Sequence, residues 1–319
     1  MKKYKKSILI TALTVFIILL FFALYAPLVE KTYSFGKGNI KVALITDYHS
    51  ATLYYESLVN KLINNTPDII LLGGDIIDDE EDVYGAELLL KTLSESPFSN
   101  IPKFYVTGNH EFWSNRIVEF KDLVKKYNIV VLDNLSPSFL INIKDENILI
   151  SGICDPYVIK YDNLGRFIKK DYEENWQDKW VKDYLYNNFS TYDNILKKIN
   201  NINGYENILW LKNIIVENAD IKKIENSHKV LLTHRPEFVE SYSKLPYEYI
   251  LSGHTHGGQV NIPFILNGLY APNQGLFPKY AGGLYNIDNG KNLIVSRGLS
   301  FNPIMPRIFN KAELVWVYF

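Results

Sequence analysis

The sequence predicts an α/β domain built on a sheet covered on both faces, and three observations carry that prediction. Short apolar runs recur along the chain, segments with helical spacing separate the first three of them, and each of those three ends abruptly in a residue of the metal-binding type. The run 40–45 leads into Asp47, 69–72 into Asp75 and 104–106 into Asn109. Continuous runs rich in β-branched residues fit strands buried on both faces. Helical spacing over 53–63, 85–93 and 116–127 lies between or after them, so the first half reads β-α-β-α-β-α.

Ahead of this domain, residues 1–37 stand apart. Lys2, Lys3, Lys5 and Lys6 precede an uncharged run, 7–29, long enough to cross a bilayer as a helix of roughly 20 residues. A basic amino-side flank implies a cytoplasmic amino terminus by the positive-inside rule, hence a single-pass cell-membrane anchor and an extracytoplasmic domain. A cleaved signal peptide is the competing reading, but Ala26 has Leu24 at −3 and Pro27 directly after it, neither of which suits a signal peptidase. The expected division is a basic stub, anchor and linker over 1–37, then a catalytic domain over 38–319.

Beyond residue 37 the chain holds 28 basic and 34 acidic residues. That balance gives no general attraction to nucleic acid, which is not expected as a partner. The single cysteine, Cys154, can form no intramolecular disulfide and reads as a small buried apolar residue.

The second half resumes with strand-like runs at 147–153, 229–232, 249–251 and 293–296, and 312–318 closes the chain. Between them, 156–228 has no strand-like run and many aromatics, including Tyr157, Trp176, Trp180, Tyr184 and Trp210. It reads as a helical insertion that caps the site, lies near a bilayer, or packs on the domain's flank. Pro263, Gly268, Pro272, Gly275, Pro278, Gly282 and Gly283 mark 262–283 as an irregular loop bordering the site.

Five of the six histidines fall in short motifs with Asp, Asn and Gly: Asp47-Tyr48-His49, Gly74-Asp75-Ile76-Ile77-Asp78, Gly108-Asn109-His110-Glu111, Thr233-His234-Arg235 and Gly253-His254-Thr255-His256. Imidazole, carboxylate and amide oxygen together suit Mn²⁺, Fe²⁺ or Zn²⁺ with positions open to substrate, whereas a structural zinc site wants thiolates. A two-metal hydrolase needs one ligand shared by ions roughly 3.5–4 Å apart. Asp75 is the expected bridge, with Asp47, His49 and His256 on one ion and Asn109, His234 and His254 on the other. His254 and His256 are expected to project alike from an extended segment. His110, not needed as a ligand, is the expected general acid toward substrate. Asp78 and Glu111 are expected to orient ligands or a backbone turn. Arg235 and Gln259 flank the ligands and either touch phosphate or serve local loop bonding. His228 lies outside every motif and reads as a surface residue.

The whole set resembles the calcineurin-like metallophosphoesterase superfamily over nearly all of 38–319. The run Gly253-His254-Thr255-His256-Gly257-Gly258-Gln259, with Ser296-Arg297-Gly298-Leu299 further on and an amino-terminal apolar segment, is similar to the bacterial membrane-associated branch of YkuE and YaeI. The resemblance implies a four-layer α-β-β-α sandwich, two divalent ions and hydrolysis of phosphoester or diphosphate bonds, with a lipid-linked or cell-envelope substrate. A cyclic-nucleotide or nucleic-acid phosphodiesterase, and a non-catalytic metal-binding envelope protein, are the rival readings.

Overall fold

The computed structural model describes residues 2–36, 38–132, 138–170, 172–301 and 306–319. In chain order the first half holds helix α1 (Lys2–Leu24), strands β1 (Leu28–Ser34) and β2 (Lys41–Ile45), α2 (Tyr55–Asn64), β3 (Ile69–Leu72), α3 (Tyr84–Ser94), β4 (Lys103–Tyr105), α4 (Asn109–Trp113), α5 (Ile117–Lys126) and β5 (Val130–Val131). A hairpin follows, β6 (Ser138–Ile143) and β7 (Glu146–Gly152), then α6 (Trp176–Phe189), α7 (Tyr192–Leu196), α8 (Leu209–Ile214) and α9 (Ile221–Glu225). The remainder is β8 (His228–Leu232), α10 (Val239–Tyr242), β9 (Tyr249–Ser252), β10 (Tyr270–Ala271), β11 (Gly275–Leu276), β12 (Gly283–Ile287), β13 (Lys291–Val295) and β14 (Ala312–Tyr318).

Two six-stranded sheets run β1-β14-β2-β3-β4-β5 and β12-β13-β9-β8-β7-β6. Strand side chains alternate in direction, and the burial of β2 and β3 follows that period. Val42, Leu44, Ile69 and Leu71 face the second sheet, where they meet Ile148, Ile150, Val230 and Leu251. Ala43, Ile45, Ile70 and Leu72 face the other way, onto Leu58 and Leu62 of α2, Leu89 of α3 and Phe120 of α5. A third cluster covers the far face of the second sheet, with Leu149, Leu231 and Ile250 against Val181, Leu185 and Phe189 of α6. Three apolar layers between four layers of structure give the α-β-β-α sandwich. Each fully buried Leu or Ile contributes about 1.5–3 kcal/mol.

The predicted strands and helices of both halves match observed elements to within about two residues at each end. Six strands had no such signal: β5, β10 and β11 are two residues each, β12 lies just past the irregular loop, and β1 and β6 escaped for different reasons. β1 is an edge strand whose middle carries Glu30, Lys31 and Thr32 outward, so it lacks an apolar run, yet it pairs in parallel with β14 from Leu28 to Ser34. β6 joins β7 through Lys144 and Asp145, both left-handed at φ +50° and +65°, a geometry usually announced by Asn-Gly.

β1 also corrects the reading of 1–37. Residues 28–34 are sheet, not linker, and α1 ends at Leu24, so the uncharged run 7–29 is not one continuous helix. Among the described residues no helix is long and apolar enough to cross a membrane. The expected transmembrane anchor is thus unsupported by the fold, although Leu13, Phe16, Ile17 and Phe21 of α1 stand exposed.

The insertion is helical, as expected, and much of it packs on the flank. α6 and α7 bury Val181, Leu185, Phe189 and Ile195 against the second sheet, and α8 sends Trp210 and Leu211 between the sheets. Cys154 is buried. His228 opens β8 half-buried, with Nε2 2.9 Å from Glu146 and its ring stacked on Phe319.

Candidate metal centre

The sequence motifs converge because the strands that precede them are parallel. Asp47, Asp75 and Asn109 follow the carboxyl ends of β2, β3 and β4, and His234 and His254 follow those of β8 and β9. Both sheets therefore deliver their loops to one edge of the sandwich, where binding sites of parallel sheets form.

Asp47, His49, Asp75 and His256 each offer one ligand-type atom, all within 4.8 Å of one another, and so do Asp75, His234 and His254. Asp75 belongs to both groups. Its Oδ2 lies 3.0 Å from His234 Nε2 and 3.7 Å from His49 Nε2. His256 Nε2 is 3.8 Å from Asp47 Oδ1, and His254 Nδ1 is 3.2 Å from His234 Nε2.

Each of the four imidazoles is anchored through the nitrogen that faces away from the cluster. His49 Nδ1 bonds Asp78 at 2.7 Å, His234 Nδ1 bonds the Gly73 carbonyl at 2.8 Å, His254 Nε2 bonds Asn273 at 3.0 Å, and His256 Nδ1 bonds Ser300 at 2.5 Å. A proton on the anchored nitrogen leaves the other as a lone pair aimed inward, the pattern of metal-binding histidines. Asp47 Oδ2, Asn109 Oδ1 and His49 Nε2 are moreover buried with no hydrogen-bond partner. Buried acceptors left without donors are costly, and a cation removes that cost. The donor set fits divalent ions.

Electrostatics point the same way. Burial and neighbouring Asp75 raise Asp47, while burial, which would push Asp75 up, is outweighed by His234, so Asp75 stays well below the usual carboxylate range. Burial opposes a charge on His234, but Asp75 and Asp47 overcome it and lift the imidazole to about 10. Without metal, a proton on His234 supplies the positive charge the carboxylates demand. Burial holds His254 and His256 well below the usual imidazole value, with Arg235 and His49 adding to it.

Glu111 ties the loops together. Its buried carboxylate accepts from the backbone amides of Asp75, Ile76 and Gly108 at 3.0, 2.7 and 2.7 Å, and burial with the nearby Asp75 raises it to about 7. His110 N and His254 N donate to Asp75 and Asp47, each at 2.9 Å. Gly74, at φ +89°, packs where a side chain would strike the Gly108 amide and the His234 ring.

One expectation fails here. His254 and His256 do not project alike from an extended segment: both are left-handed, at φ +73° and +49°, and their rings go to different groups. Asp47, His49 and Asp75 share that conformation at φ +49°, +50° and +50°. Such backbone costs of order 1–3 kcal/mol per residue and collects at functional sites.

His110, at the start of α4, has its ring 4.3 Å from that of His49, and its Nδ1 2.5 Å from Asp79 and 3.8 Å from Asp78. Arg235 does not reach outward for phosphate. It is 1% exposed and pairs with Asp155 at 2.5 Å, Glu237 at 3.1 Å and Asn273 at 2.5 Å. The backbone carbonyl of Gln259 accepts from Ile308 N and Asn310 Nδ2. Sequence reasoning missed Asp79, Asp155, Asn273 and Ser300. Asp155 had a signal, since it follows a strand-like run as Asp47 and Asp75 do; the other three sit in loops with none.

The model of calcineurin-like phosphoesterases matches residues 40–258, which contain every residue of both groups. The chain belongs to the calcineurin-like phosphoesterase family. It is 26% identical to an uncharacterized metallophosphoesterase of Campylobacter jejuni over 287 residues, covering 88% of this chain and 59% of the relative. Against YkuE of Bacillus subtilis it is 27% identical, covering 88% of this chain and 78% of that protein. A cattle relative described as a transmembrane protein with metallophosphoesterase domain is 23% identical, over 87% of this chain and 52% of the relative. The chain thus spans between half and three-fifths of several relatives, the Campylobacter protein among them.

Proposed function

We propose that this family member is a binuclear metal-dependent phosphoesterase that works at a membrane surface. The observation that carries the catalytic reading is the pair of ligand groups sharing the buried Asp75, with unpartnered acceptors pointing between them. Asp47, His49, Asp75 and His256 would hold one ion, and Asp75, Asn109, His234 and His254 the other. When bound, the ions supply Lewis-acid polarisation and charge neutralisation at the phosphoryl group. N and O donors accept Mn²⁺, Fe²⁺ and Zn²⁺ alike.

His110 gives its proton to the departing oxygen. The carboxylate of Asp79 lies 2.5 Å from Nδ1, so Nε2 is the nitrogen left to meet the reacting group. The ring is about one-fifth exposed, so substrate can reach it. Asp78 and Glu111 fix His49 and the two loops, which spares the site any reorganisation as charge develops.

The membrane reading draws on the uncharged run 7–29, the exposed apolar side chains of α1 and the cattle relative described as a transmembrane protein. Four lysines at the amino end of α1 favour a cytoplasmic amino terminus and an extracytoplasmic domain. A lipid-linked or cell-envelope phosphoester is the substrate class this placement favours.

The test strips the chain 1–319 of metal in detergent, restores Mn²⁺, Fe²⁺ or Zn²⁺, and follows p-nitrophenyl phosphate and its bis-ester, with Asp75→Asn beside the natural chain. Metal-restored turnover lost in the variant supports the reading. Equal turnover in both proteins overturns it.

A further inference from the structure

A second uncharged stretch lies in the folded domain. Residues 259–278 contain no Asp, Glu, Lys or Arg in a chain that is 22% charged. Ala271 is buried, but four of the stretch's large apolar side chains face outward. Phe264 is 109% exposed, Ile265 82%, Phe277 68% and Leu276 66%. A water-facing loop of this composition is unfavourable unless something covers it.

The fold says what stands next to it. Ala23, at the end of α1, accepts a hydrogen bond from Phe309 N at 2.6 Å, and Ala26 accepts one from the Tyr54 hydroxyl. Ile308, the residue before Phe309, bridges to Val260, and its carbonyl accepts from Asn261 N at 2.9 Å. The apolar loop and the end of the apolar helix are therefore joined through one short piece of chain. At its other end the loop enters the metal centre: Asn273, in the β10–β11 turn, holds His254 at 3.0 Å and Arg235 at 2.5 Å.

We infer that residues 262–277 form a second membrane contact, a wedge that dips Phe264, Ile265, Leu276 and Phe277 into the lipid interface beside α1. Aromatic and aliphatic side chains partition there readily. The inference rests on the membrane reading above and adds an orientation to it. With the loop seated, the metal centre is held at headgroup depth, and the favoured substrate is an amphiphile whose phosphoester lies at the interface rather than a phosphoester free in solution.

The chain 1–319 carrying Phe264→Cys, labelled with an environment-sensitive NBD fluorophore, is reconstituted into phosphatidylcholine–phosphatidylglycerol vesicles with and without bromine on the acyl chains. The natural chain, whose Cys154 is buried, gives the background, and Tyr186→Cys on the exposed surface of α6 is the reference position. Stronger bromine quenching at 264 than at 186 is expected. Equal quenching at the two positions overturns the inference, as does failure of the chain to float with vesicles, and an emission shift that follows protein density instead of bromine assigns the loop to a second copy.

A companion variant, Phe264→Ser with Ile265→Ser and Phe277→Ser, should keep its rate on bis-p-nitrophenyl phosphate while losing roughly tenfold on a phosphoester lipid in vesicles, given the apolar area removed. Parallel loss on both substrates would place these residues in folding instead and overturn the inference. An inactive natural chain would count against the catalytic reading and leave the quenching result standing.

Discussion

Arg235 and Asp155 form a buried ion pair, Nε to Oδ2 2.5 Å, and the same guanidinium reaches His254 through the shared oxygen of Asn273. The pair stands behind the metal-facing histidine and fixes its ring.

Removing one partner of a buried pair strands the other charge. Asp155→Ala should lower the unfolding free energy by about 3–5 kcal/mol, read as a reduced urea midpoint. A midpoint unchanged within error would mean that Arg235 finds Glu237 sufficient.

Asp75 belongs to both ligand groups, so its loss should empty both. Asp75→Asn is expected to drop bound metal from two ions per chain toward none by elemental analysis, whereas His256→Ala should retain one. Chelation should also lower the melting temperature of the natural protein, since an ion bound only by the folded state stabilises it. Full metal content in Asp75→Asn would refute the shared carboxylate.

His110 and Asp79 should separate chemistry from metal binding. His110→Ala is expected to cut turnover by roughly 10²–10⁴-fold with metal content intact. Asp79→Asn acts only through His110 and should cost roughly tenfold in turnover with metal content intact. Lost metal in either variant would move that residue into the ligand set.

Gly108 tests the close approach of the two loops. A Cβ there would collide with the carboxylate and amide of Asp75. Gly108→Ala should therefore lower metal affinity although residue 108 coordinates nothing, as titration with Mn²⁺ would show. Unaltered affinity would mean the loops part easily.

Lys103 offers a pH signature away from the site. Burial lowers its ammonium from 10.5 to about 7, so between those values the unfolded chain binds a proton that the folded chain has largely released. Stability then rises with pH across that window, and below about 7 this residue gives no slope. Urea midpoints at pH 7.5 and 9.5 should diverge in the natural protein and converge in Lys103→Met. Identical pH dependence in both would show that the carbonyls of Phe98, Ser99 and Ile101 keep the ammonium charged.

Much of the architecture was legible in the chain because strands buried on both faces must be apolar throughout, and the runs ending at Ile45 and Leu72 are. The ligands were legible because a two-metal hydrolase needs particular side chains on the loops after such strands, and Asp47, Asp75, Asn109, His234 and His254 stand there. β1 escaped, since an edge strand carries charge outward and leaves no apolar run. The sequence by itself determined the order of the buried strands and the helices between the first of them, the identity of the candidate ligands and the family. Tertiary structure alone decided how they are aimed: the left-handed backbone at His254 and His256, the pairing of Asp79 with His110, the Arg235–Asp155–Asn273 support, and the seating of the uncharged loop beside α1. Those relationships join residues distant along the chain, Asp155 and Asn273 for instance, and depend on backbone conformations that residue type does not announce. Local periodicity reports what a residue must be buried against, but only the packed sheets fix which distant side chain it meets.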